Sequence, residues 1–81
     1  MISCHEYDYI EIACMYHYPV KLTLSNGSEV TGIALDTARN DTKQECLKIE
    51  VNGVQALIIL NQVSKLTALI DNPYFTVVKF S

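Results

Sequence analysis

Basic residues are few in this sequence, and none comes early. Six Lys and Arg stand against nine Asp and Glu, and Lys21, Arg39, Lys43, Lys48, Lys65 and Lys79 form no run. Non-specific nucleic-acid binding draws its affinity from such runs neutralising phosphates, so direct binding to nucleic acid is not expected. Cysteine is scarce as well. Cys4, Cys14 and Cys46 are odd in number and too few for the disulfide framework of a small secreted domain, which makes them thiols. No apolar run approaches the ~20 residues of a membrane span, and Met1 to Glu6 has neither the basic nor the apolar part of an export signal. A cytoplasmic protein without membrane contact is expected. Also missing are a glycine-rich phosphate loop and any Ser-His-acid order, so no catalytic residue, no enzyme activity and no cofactor are expected.

What is present is globular: 49% of residues are hydrophobic and 19% charged. Eighty-one residues have interior enough for one core, hence a single domain over 1–81. The net charge of −3 is unevenly placed. Residues 1–19 hold Glu6, Asp8 and Glu11 with no Lys or Arg, whereas residues 20–81 hold six acids and six bases. An acidic N-terminal segment therefore precedes an electrically neutral body.

In that segment Tyr9, Ile12, Ala13 and Tyr16 recur at i, i+3, i+4 and i+7, the spacing of one helical face, and Pro19 biases Tyr18 out of the helix. Two starts compete. Ser3-x-x-Glu6 fits a capping box, but Asp8-x-x-Glu11 lies directly against the periodic run, which favours Asp8 as N-cap. Asp8, Glu11 and Met15 then share a second face, turned away from the Tyr9/Ile12/Tyr16 stripe.

From Val20 the period changes to two. Val20, Leu22 and Leu24 alternate with polar residues, and Asn26-Gly27 and Asn52-Gly53 each supply the pair that a type I′ hairpin turn requires. Further strands are expected at Leu47–Val51, Val54–Leu60, Lys65–Ile70 and Tyr74–Phe80, giving a six-strand antiparallel meander. Gly32 interrupts the second strand and marks a bulge or bend. That bend favours a small closed or nearly closed barrel, with the helix covering the apolar face of Leu57 and Ile59. The expected core is Leu22, Leu24, Val30, Leu47, Ile49, Ile58 and Leu66. Asp36 to Gln44 lacks large apolar residues and reads as a mobile surface loop.

Cys14-x-x-His17, with Cys4-His5 upstream, supplies four side chains of zinc-ligand type. The spacing between the pairs matches no recognised finger or ribbon. A buried Cys and a His at a helix end account for the same residues, so no metal is expected. The acids Glu6, Asp8 and Glu11 have two readings, a docking surface and a capped helix start.

Two resemblances bear on that choice. Val20 to Ile33, with Gly27 and Gly32 around a hydrophobic position, resembles the first motif of Sm-like proteins. Ala38 stands where that motif has an Asp, and no Arg-Gly or Lys-Gly of the second motif occurs. An Sm-like RNA-binding protein is thus the alternative reading. The broader resemblance is to the bacterial Rho-binding antiterminator family (Rof). It is carried by Cys4, Tyr7-Asp8, Ile10-Glu11-Ile12-Ala13-Cys14, His17, Leu22 to Leu24 with the Gly27 turn, and Thr76-Val77-Val78. It implies a mainly β fold, a short N-terminal helix followed by a six-stranded antiparallel Sm-like barrel. It also implies an inhibitor of termination factor Rho, a hexameric RNA-dependent helicase, that binds the RNA-binding domain near its primary RNA site and blocks RNA loading. The partner-binding residues it points to are Tyr7, Asp8 and Glu11, joined by Glu6 as the continuation of the acidic run. Tyr7 takes the place of a base and the carboxylates that of phosphates. The free protein is expected to be monomeric.

Overall fold

The computed structural model describes residues 3–80. Helix α1 spans Cys4–Met15 and is followed by β1 (Pro19–Leu24), β2 (Glu29–Arg39), β3 (Glu45–Val51), β4 (Val54–Ile59), a 3-10 turn (Leu60–Gln62), β5 (Val63–Ala68) and β6 (Val77–Lys79). The mainly β fold, one helix and then six antiparallel strands, is as the sequence predicts.

The helix starts earlier than the Asp8 cap predicts. Ser3 is the N-cap: its hydroxyl accepts from the Glu6 amide at 3.1 Å, and the Glu6 carboxylate accepts from the Ser3 amide at 2.9 Å. This reciprocal box satisfies two orphan amides at once, and it leaves Asp8 in the second turn. At the other end His17 adopts φ 52°. Its amide bonds to the Cys14 carbonyl (3.2 Å) and that of Tyr18 to the Ala13 carbonyl (2.9 Å), the two bonds of a Schellman stop. The buried seam of α1 is Ile10, Ala13 and Cys14, with Tyr9 and Ile12 flanking it. Tyr16, expected on that seam, is half exposed because the helix has ended before it.

The strands lie in the order β4-β3-β2-β1-β5-β6. The meander holds through β4 and then breaks, as β5 returns to pair with β1. This return forces curvature. Laid flat, β4 and β5 would sit four strand spacings apart, about 19 Å. The link from Ile59 to Val63 spans at most about 14 Å fully extended, and a 3-10 turn is shorter. The sheet is therefore rolled on itself, with β4 and β6 at its edges.

Two details of the roll differ from the sequence reading. A Cβ on Gly32 would strike the Glu50 carbonyl oxygen and stand 2.9 Å from Ile49 Cγ1, so this glycine allows β3 to approach closely. The bulge itself lies further on, between Ala34 and Asp36. At Asn52-Gly53 both residues have positive φ (52° and 82°), as a type I′ turn requires. In the first hairpin only Gly27 does (91°). The Gly27 amide bonds to the Leu24 carbonyl and the Leu24 amide to the Ser28 carbonyl, a type I turn closed by a glycine bulge.

Four of the nine residues expected as a mobile loop are strand. Asp36–Arg39 pairs with β3, and the remaining turn is tied by Asn40 Oδ1, which accepts from the Thr42 amide, the Thr42 hydroxyl and the Gln44 amide. Inside the roll Leu22, Leu47, Ile49 and Leu66 are buried as expected, together with Val20, Ala34, Val63 and Val78. Leu24, Val30 and Ile58 are only partly buried, Leu24 beside a turn and Ile58 on an edge strand. Helix α1 packs on β2 and not over β4, which leaves Leu57 exposed.

Candidate functional site

Each residue of a helix turns ~100°, which places Glu6 about 160° from Asp8 and sets Tyr7, Glu11, Asp8 and Met15 along a common side. The structure thus divides the predicted set. Asp8 and Glu11 are exposed, and neither pairs with a base among the described residues, whose two ion pairs are Lys21–Glu29 (3.7 Å) and Arg39–Glu45 (3.3 Å). Tyr7 is half-buried beside Thr37, Ala38 and the Arg39–Glu45 pair. Glu6 is occupied by the cap.

Beside Glu11 the structure brings a residue that the sequence reading assigned to a loop. Asp36 of β2 and Glu11 of α1 line one open groove of about 390 Å³. Met15 and Leu35 supply apolar lining, and Cys14, His17 and Thr37 complete it. The Thr37 amide donates to Asp36 Oδ1 at 2.8 Å and fixes that carboxylate. Burial, then the charges of Asp36 and Glu11, push the Cys14 thiol up to about 11. Both carboxylates therefore act on the groove floor. No motif connects positions 11 and 36; the α1–β2 packing does.

The four side chains weighed as zinc ligands are not assembled. Cys4 and Cys14 lie ten residues apart on one continuous helix, about 15 Å along its axis. His17 is committed as well, its Nδ1 lying 3.1 Å from the Ala34 carbonyl. Among the described residues no three His, Cys, Asp or Glu side chains gather as a metal site. No described helix is long and apolar enough to cross a membrane.

A run of aromatic rings ties α1 to the C-terminal segment. Tyr9 meets Phe75 edge-on at 5.5 Å, and Tyr16 stacks between Tyr18 and Tyr74 at 5.6 Å from each. The Tyr16 and Tyr74 hydroxyls are 3.1 Å apart. These contacts fix the helix against the body and hold its acidic side outward.

A family model described as modulator of Rho-dependent transcription termination (ROF) matches residues 1–80. Among solved structures the chain is similar to YaeO bound to magnesium from Vibrio cholerae O395, at 44% identity and a TM-score of 0.88, covering 93% of this chain and 97% of that one. No curated protein matches.

Proposed function

This chain belongs to the ROF family of modulators of Rho-dependent transcription termination, and from that premise we propose that it inhibits Rho by occupying the surface near the primary RNA site, so that RNA does not load. The observation that carries the proposal is the unpaired acidic side of α1, with Asp8 and Glu11 exposed in a segment that has no base. A groove that binds RNA is basic, and a rigid row of carboxylates complements it as phosphates do. Tyr7, Asp8 and Glu11 are the contact residues. Glu6 adds charge to the segment and rigidity to the helix start. The protein acts in the cytoplasm as a monomer before it meets the hexamer, by binding alone, with no catalysis, no cofactor and no nucleic-acid contact of its own.

The test is binding to purified Rho by sizing chromatography and titration. Glu11→Lys and Asp8→Lys should each nearly abolish the complex, since a favourable pair becomes like-charge repulsion worth several kcal/mol. Asp8→Asn should weaken it at an unchanged melting temperature. Wild-type affinity in Glu11→Lys would place the docking surface elsewhere.

A further inference from the structure

We propose that the groove between α1 and β2 seats one arginine or lysine side chain of the partner, with Asp36 as a docking residue alongside Glu11. This rests on the Rho reading above and names the chemistry that the surface takes.

The two charged groups of the groove lining are both acceptors. Glu11 and Asp36 are carboxylates without a base among the described residues. Thr37 orients one Asp36 oxygen and leaves the other unengaged by any described group. On the groove floor the Cys14 side chain is only 8% exposed and makes no hydrogen bond among the described residues. A carbonyl can only accept, so His17 Nδ1 donates to Ala34 and is already engaged. An anion is refused by this lining. A wholly apolar occupant is refused too, because it would desolvate two carboxylates with nothing in return. Met15, 68% exposed on α1, and Leu35 on β2 add apolar surface to the same lining. A hydrated ion gains nothing from that apolar surface, whereas the methylene stem of Arg or Lys packs against it while the cationic head reaches the acids.

Two measurements test this. In the first, Asp36→Asn, which keeps the oxygen that Thr37 uses, should weaken binding to Rho about tenfold at unchanged melting temperature, and Asp36→Lys by far more. Wild-type affinity in both variants, with Glu11→Lys defective, would leave the Rho reading standing and overturn the groove. The second needs no Rho. Isotope-labelled protein is titrated with N-acetyl-arginine methylamide to tens of millimolar, with sodium and magnesium chloride as controls. Amide shifts at Cys14 and Thr37 that saturate with the arginine probe alone, and vanish in Asp36→Asn, support the seat even if Rho docks elsewhere. Equal shifts with either salt, or no shifts, overturn it.

Discussion

Replacing Ser3 by alanine removes the acceptor for the Glu6 amide (3.1 Å) and loosens the return bond that the Ser3 amide donates to the Glu6 carboxylate (2.9 Å). Loss of such a cap costs ~1 kcal/mol, within a range of about 0.5–2. For a domain of this size that is a fall in melting temperature of roughly 4–8 °C. Asp8→Ala is the paired perturbation. Asp8 is exposed in the second turn, beyond the amides that a cap serves. Its removal forfeits a few tenths of a kcal/mol of favourable dipole interaction and regains a similar amount of helix propensity, so the net effect stays within about 0.5 kcal/mol. Thermal unfolding followed by circular dichroism separates the two. A larger loss in Asp8→Ala than in Ser3→Ala would mean that the helix starts at Asp8, that its carboxylate serves the backbone, and that the case for a free acidic docking side fails.

Leu22, 1% exposed where β1 faces both Val30 and Leu66, should lose ~2–5 kcal/mol on replacement by alanine in denaturant unfolding, and the partly buried Leu24 clearly less. Equal losses would show that the two sites are packed alike. The Cys14 thiol, raised from 9.0 to about 11, is favoured in its neutral form by the fold, so its stabilisation is complete below pH 9 and is lost as pH rises through 11. Between those limits wild type should lose up to ~2–3 kcal/mol more than Cys14→Ala does; parallel losses would refute the assignment.

The local rules were legible in the chain where one residue type determines one geometry. Asn52-Gly53 turns as its pair of positive φ values demands, and period two finds β1 and β3 with Leu22, Leu47 and Ile49 inside. What failed depended on competition or on distance. Both helix starts satisfied the same capping rule, and the periodic run near Asp8 outweighed the Ser3 box that the fold uses. Asp36 to Arg39 looked like a loop for want of large side chains, yet pairing with Glu45 to Lys48 makes it strand. That pairing also sets the position of Asp36. Its place beside Glu11 comes from the packing of α1 on β2, twenty-five positions away, and no short pattern encodes it. Of the residues expected to dock, Asp8 and Glu11 are exposed, whereas Glu6 is set apart from them because the helix begins at Ser3 and takes its carboxylate into the cap.

The central claim is competition for one surface on Rho, and the most direct measurement is displacement of a fluorescent single-stranded RNA from purified Rho by this protein, followed by anisotropy. The account predicts that wild type displaces the RNA completely, that raising RNA concentration shifts the midpoint in proportion, and that higher salt weakens the effect as exposed charge pairs are screened. Glu11→Lys should leave the RNA bound. Formation of a ternary complex of Rho, RNA and wild-type protein, or displacement by Glu11→Lys at the wild-type midpoint, would contradict it.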